Sequence, residues 1–341
     1  MRLPAMPALA ELHVLPQGFF ECGADQLQRI LPGPTLIHLP GRRPQPLFVS
    51  ALLHGNEDVG LFALQQVLAR YREGGLPRAL SFFIGNVSAA RAGLRHLDCQ
   101  PDYNRVWPGT VLPESAETQR MSSVVEAMRG RRPFASIDLH NNTGLNPHYG
   151  CVTRTEPAFL HLAALFSHTV VHFGRPPGTQ AMAFAGLCPA VTCECGKVGS
   201  SEGVMRAAEF VDARLHLRAL PTRPLRVGEI HLFRTVAALH VPQARSMSFD
   251  GSAADFVFAP DLDHCNFREL SAAALLAHAP TGARLLALDD AGADVAPSLL
   301  DQGEGRITLR AGLMPAMLTR DERVVRQDCL GYLMRRVEAD T

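Results

Sequence analysis

Apolar positions along the first two thirds of the chain recur in two alternating patterns. Residues 46–53 (PLFVSALL) form a short apolar run ending at His54-Gly55, with the length and branched character of a buried strand. In the following EDVGLFALQQVLARYREGG, Val59, Leu61, Phe62, Leu64, Val67 and Leu68 repeat at helical spacing, and Gly74-Gly75 supplies a stop. RALSFFIGN is a second strand candidate, residues 117–129 read as a helix, and FASIDLH and AVTCECG are further strands. Strands alternating with helices in this way predict an α/β fold with a mostly parallel sheet flanked by helices.

The texture changes after RALPTRPLRVG (residues 218–228). Short β-like pieces follow (EIHLFRTVAALHV, DFVFA, ARLLALD, RITLRA), separated by Pro, Gly and Asp. They predict a smaller β-rich domain over residues 223–341 behind a catalytic domain over residues 1–222.

Composition narrows the class. The 341 residues are 47% hydrophobic and 19% charged, values of a globular chain with ample core. Lys+Arg and Asp+Glu are 33 each, so no overall basic field recruits nucleic acid or an anionic membrane. No apolar run approaches a membrane span. At the N-terminus Pro4 and Pro7 interrupt the apolar stretch and Glu11 follows, a poor export signal. The eight cysteines are dispersed without a CxxC pair and read as reduced, mostly buried thiols of a cytoplasmic protein. Lys197 is the single lysine; every other basic residue is Arg.

Four pieces carry chemistry. In His54-Gly55-Asn56-Glu57 an imidazole and a carboxylate three positions apart at a strand end can converge on one ion, and both suit zinc. In SIDLHNNTG, His140 ends another apolar strand, at the carboxyl edge where open α/β sheets bind ligands. Asp138, two residues earlier on the same strand face, can orient that imidazole. In AVTCECG, period-2 alternation puts Cys193 and Cys195 on one face and Glu194 on the other. A carboxylate in so apolar a run is costly unless it is paired, liganding or catalytic, whereas the cysteines read as packing. The fourth piece, GNVSAARAGLRHLDCQPDYNRVWPG, gathers Asn86, Arg91, Arg95, Asp102, Asn104 and Arg105; Arg beside Asn suits capture of a carboxylate, and a solvated charged loop is the plainer reading of any single Arg there.

In this order the pieces resemble the succinylglutamate desuccinylase/aspartoacylase family of zinc carboxypeptidase-like hydrolases, whose pattern is HGNE, then GNP-A---G-R with D-NR, then DLH, then E-G. They cover roughly residues 45–205. The resemblance implies a carboxypeptidase-like mixed α/β sheet, a Zn²⁺ held by His54, Glu57 and His140, and Glu194 as general base. It implies Arg95 as the group that polarises the scissile carbonyl, and Asn104 and Arg105 as holders of the substrate α-carboxylate. Lys197, three residues past Glu194, is a further substrate-binding candidate. The chain departs from the family where Gln100-Pro101 lengthens the step from Arg95 to Asn104, and in NNTGLNPHYG after His140. Arg175 is the candidate for the family's acyl-carboxylate arginine. The implied substrate is a small N-acyl amino acid. The alternatives are a metallocarboxypeptidase acting on short peptides, with the same metal, base and clamp, and a non-catalytic binding protein.

Overall fold

The computed structural model describes residues 9–337. The first eight residues, on which most of the argument against an export signal rests, lie outside the described residues. The chain divides into two compact units. One comprises residues up to 141, 148–170 and 176–230; the other comprises 142–147, 171–175 and 231 onward.

The first unit is built on strands β1 (Ala10–Leu12), β2 (Thr35–Leu39), β3 (Gly41–Ala51), β4 (Leu76–Ile84), β5 (Ala135–Asn142), β6 (Tyr149–Val152), β7 (Thr169–His172) and β8 (Ala190–Lys197). Their order in the sheet is β1-β2-β4-β3-β5-β8-β6-β7. The pairs β1–β2, β3–β4 and β3–β5 are parallel, and β2–β4 and β6–β8 antiparallel, which makes the sheet mixed and mostly parallel. The helices are α1 (Val59–Ala69), α2 (Val87–Ala92), α3 (Ala116–Arg131), α4 (Pro157–Ala164), α5 (Gln180–Phe184) and α6 (Ser201–His216). Every strand expected from the first two thirds of the sequence is present. β3 begins earlier than its apolar run because Gly41 and Arg43 already pair with Leu76 and Arg78 of β4, ahead of a register shift before Leu47.

Each β3, β4 and β5 segment reads as a nearly continuous apolar run because helices cover both faces. Leu47, Phe48, Val49, Ala51, Leu80, Phe82, Phe83, Ile84, Ala135 and Ile137 are all fully buried. The stripe predicted on α1 is buried at Val59, Leu61, Leu64, Val67 and Leu68, with Phe62 half-exposed at its margin. Gly60 lets α1 approach the sheet: a Cβ there would lie 2.6 Å from the Ala51 Cβ and 3.2 Å from that of Leu139. α1 packs in turn against α6.

The second unit contains β9 (His231–His240), β10 (Met247–Ser248), β11 (Phe256–Phe258), β12 (Leu275–His278), β13 (Leu286–Leu288), β14 (Leu300–Gly303), β15 (Arg306–Leu309), β16 (Met314–Ala316) and β17 (Gly331–Arg336). β10-β11-β12-β15-β14 form one sheet, while β17 and β13 flank β9 and β16 extends beyond β17. A core of its own, including Leu239, Phe256, Phe258, Leu285, Ile307 and Leu333, holds the unit together. Among the described residues, no helix is long and apolar enough to cross a membrane.

Substituting Gly60→Val forces side-chain carbon against Ala51 and Leu139, so it should lower stability by about 1–3 kcal/mol. Urea denaturation would measure the loss; an unchanged midpoint would show that α1 sits less tightly on the sheet.

Candidate active site

The carboxyl ends of β3, β5 and β8 position the residues singled out from the sequence. β3 ends at Ala51, and the chain turns through Leu52, whose φ of 55° is left-handed. The turn is fastened to the end of β4, where Asn86 N–H donates to the Leu52 carbonyl at 2.6 Å and Gly85 N–H to that of Ala51 at 3.0 Å. His54 follows. Gly55 then passes so close to α2 that a Cβ would lie 2.2 Å from the Ala90 nitrogen, which accounts for the Gly inside HGNE. Its N–H donates to the Arg95 carbonyl at 3.0 Å, tying the ligand loop to the loop that follows α2.

His54, Glu57 and His140 converge, with one ligand atom from each lying within 4.8 Å of the others, and all three are buried. His54 Nδ1 is 2.9 Å from Glu57 Oε1, and His140 Nδ1 is 2.7 Å from Glu57 Oε2. The far nitrogens are engaged too: His54 Nε2 lies 3.1 Å from Asp102 Oδ1, and His140 Nε2 lies 2.8 Å from Asp138 Oδ2. Asp138 is itself held by the Ser50 hydroxyl, which donates to Oδ1 at 2.6 Å. Arg95 donates to Asp102 Oδ2 from Nε and Nη2 at 3.1 and 2.9 Å, and its Nη1 is 3.8 Å from Glu57 Oε1.

The protonation of this cluster follows from its contacts. Burial works against the charged form of Glu57, but the two imidazoles outweigh it and hold the carboxyl far below the usual range. For Asp102, burial is likewise overcome, by Arg95, His54 and Arg105 in that order. Burial disfavours charge on His140, yet Asp138 and Glu57 raise it well above an ordinary imidazole. On His54, burial and then Arg95 oppose the charge, and Glu57 and Asp102 prevail. Each ring thus has an acceptor on both nitrogens.

These residues fit a divalent zinc ion. Three carboxylates and the Arg95 guanidinium leave two negative charges in the inner cluster, which two imidazole protons balance; a divalent cation carries the same charge. Two nitrogens and one carboxylate oxygen are a zinc donor set with room for a fourth ligand. Each Nδ1 would serve as donor while Nε2–H stays on its own carboxylate, the arrangement that fixes tautomer and ring orientation in metal-binding histidines. The pairing of His54 with Asp102 was visible in the sequence only as an unassigned Asp before Asn104-Arg105.

The loop 102–107 is anchored by buried Tyr103 and Trp107. Trp107 packs edge-on against Phe83 and Phe184, and its backbone N–H donates to the Gly178 carbonyl at 3.0 Å. Asn104 is engaged at both ends of its amide: Nδ2 lies 3.2 Å from His140 Nε2 and 3.5 Å from Asp138 Oδ2, and Oδ1 accepts from Gln180 N–H at 2.9 Å. Arg105 is half-buried, with one Nη donating to the Asn104 carbonyl at 2.9 Å. Asn86 caps α2 by accepting from Ala89 N–H, and Arg91 is exposed on Gln28.

Glu194 is 6% exposed on β8, the neighbour of β5. The register pairs it with Tyr149, and Thr192 with Cys151, so these four share a face. Cys193 and Cys195 take the other face, where the charges of Arg214 and Arg206 on α6 reach them. On β5, Leu139 faces α1, the partner of α6, which leaves Asp138 and His140 on the Glu194 side. Burial pushes the Cys151, Cys193 and Cys195 thiols well above their usual range, as expected of inert packing cysteines. Lys197 is the exposed last residue of β8. Arg175 belongs to the second unit, where its Nε donates to the Asp290 carbonyl.

A profile of the succinylglutamate desuccinylase/aspartoacylase catalytic domain matches residues 44–220. The chain belongs to this family. It is 28% identical over 264 residues to the succinylglutamate desuccinylase of Serratia proteamaculans, covering 71% of this chain and 76% of that protein. It is 32% identical over 177 residues to the corresponding enzyme of Burkholderia orbicola, a match to 45% of this chain and 50% of that one. Among solved structures, the succinylglutamate desuccinylase of Chromobacterium violaceum shares the fold with a TM-score of 0.56 at 16% identity, over 88% of this chain and 87% of that one. Murine aminoacylase 3 does so with a TM-score of 0.56 at 16% identity, over 87% and 96%.

Asp138→Asn keeps the size of the side chain but removes the charge behind His140. Zinc binding measured by chelator competition should weaken about 10–100-fold, with the fold retained; an unchanged affinity would mean that His140 needs no support from Asp138.

Proposed function

We propose that the protein is a zinc-dependent amide hydrolase that cleaves the acyl group from a small N-acyl amino acid. The observation that carries the reading is the buried His54–Glu57–His140 cluster, with Asp102 and Asp138 behind its imidazoles. Family membership and the names of the relatives, desuccinylases and an aminoacylase, support the substrate class.

Held by these three residues, zinc supplies Lewis acidity, which lowers the pKa of water and polarises a carbonyl. Glu194, on the same sheet face as His140, takes the proton from the attacking water and returns it to the departing amine nitrogen. Arg95, beside Glu57 and braced by Asp102, offers its guanidinium to the oxygen on which negative charge develops. The bracing fixes that guanidinium before reaction, so no reorganisation is needed when the charge appears. Arg105 captures the α-carboxylate, and Asn104 beside it donates to Asp138, the carboxylate behind the His140 ring. Lys197, at the exposed end of β8, meets a substrate carboxylate at the rim.

Wild-type protein should carry about one zinc per chain and hydrolyse members of an N-acyl amino acid panel; cleavage of dipeptides alone would replace the reading with a carboxypeptidase. His54→Ala and His140→Ala should both lose the metal, because a set of three ligands cannot spare one.

Glu194→Gln should retain zinc and fold while turnover falls roughly 10²–10⁴-fold. Turnover close to wild type would remove Glu194 from the mechanism.

Arg105→Lys keeps the charge and loses the planar fork. It should raise KM for substrates with a free α-carboxylate and leave their α-amides unaffected. Equal losses for both would make Arg105 structural.

A further inference from the structure

Asn141 directly follows His140, and its side chain leaves the opposite face of β5. It is 4% exposed, and every polar group it owns on that side is used. Helix α1 starts without a local cap, since the Asp58 side chain makes no capping bond. The first N–H of the helix is satisfied from elsewhere in the chain: Asn141 Oδ1 accepts from Val59 N–H at 3.2 Å. The amide nitrogen donates to the Gly196 and Lys197 carbonyls, each at 3.2 Å, and the backbone N–H donates to Glu57 Oε2 at 3.2 Å.

Sequence neighbours give this pattern its meaning. Val59 lies two residues beyond Glu57, and Gly196 two beyond Glu194, while Asn141 itself adjoins His140. Three chain segments, each carrying one group of the proposed reaction, therefore meet at a single buried amide. A helix terminus and a strand terminus both leave unsatisfied backbone groups, and here one side chain answers both, donor to one and acceptor from the other. Only an amide can do so. Ser or Thr is too short to span the two, and Asp offers acceptors alone.

We infer that Asn141 is a positioning residue that sets Glu57 through the start of α1 and Glu194 through the end of β8. The inference rests on the proposed function. Its two halves separate by chemistry. Asn141→Ala releases both ends. Asn141→Asp keeps the acceptor for Val59 N–H but sets a carboxylate oxygen against two carbonyl oxygens, so it releases the β8 end alone. Leu64→Ala, a core truncation on α1 away from the amide, reports on loss of stability by itself.

The experiment measures three quantities on wild type and the three variants: zinc affinity by chelator competition, melting temperature, and kcat and KM at saturating zinc on the best substrate of the panel. Asn141→Ala should bind zinc about 10–100-fold more weakly, the range seen for residues that orient metal ligands, and lose about ten-fold in kcat with KM within about two-fold. Asn141→Asp should lose the same kcat with zinc affinity no lower than wild type. Leu64→Ala should melt earlier with zinc affinity and kcat unchanged. If Asn141→Ala behaves as Leu64→Ala does, or if Asn141→Asp loses zinc in step with kcat, the inference is overturned; should Asn141→Ala fail to fold, Asn141→Asp decides alone. A wild type that binds zinc but cleaves no N-acyl amino acid, or that binds none, overturns the proposed function itself and the inference with it.

Discussion

Glu57, Asp102 and Asp138 place three carboxylates out of water within hydrogen-bonding reach of two imidazoles and one guanidinium. Burying ionised groups is costly unless each is paired and its remaining lone pairs are satisfied, and this requirement organises the surrounding structure. Ser50 and Asn104 stand on Asp138, Arg95 and the Asn104 backbone N–H on Asp102, and the Asn141 backbone N–H on Glu57. Such a network tolerates little displacement of any member, because one lost partner leaves a buried charge exposed to its full desolvation cost. The elements that supply the partners are therefore locked to one another by the same charges that suit the site for chemistry.

The locks are also visible in the backbone. The exit from β3 is bound to the end of β4 through Leu52 and Asn86, Gly55 is pressed against α2, and the loop carrying Asn104 and Arg105 is bound to the 178–180 segment through Trp107 and Gln180. Groups proposed to hold a metal and to act on a substrate need angles and distances fixed before substrate arrives. Here loops carry most of those groups, and each loop is fastened at two points to the sheet or to another loop. The buried aromatics Tyr103 and Trp107 do the same by packing, as anchors under an otherwise polar stretch.

Much of the first unit was legible in the sequence because its signals are local. Period-2 and period-3.6 apolar patterns depend only on neighbours a few residues away, and they placed β3, β4, β5, β8 and α1. The opposite orientation of Glu194 and the two cysteines followed from strand geometry alone. Less legible were β1, β2 and the short strands β12, β14, β16 and β17, where three to six residues bounded by turns carry little periodicity. The second unit also takes residues 142–147 and 171–175 from within the first two thirds of the chain, a division that no local composition announces.

The candidate site shows the same division. By itself the sequence determined which residue types stand at the ends of which apolar runs, and motif order, HGNE through Glu194, was enough to group His54, Glu57 and His140 as one donor set. It marked Asp138 as the partner of His140, since two residues along a strand always share a face. The partner of His54 is Asp102, 48 positions away, and the amide that joins α1 to β8 is Asn141, which in sequence is only the residue after His140. Both assignments were left to the tertiary structure. Contacts between segments far apart in the chain depend on how strands are ordered and where loops cross the sheet edge, and one residue's spacing from the next carries no record of that order.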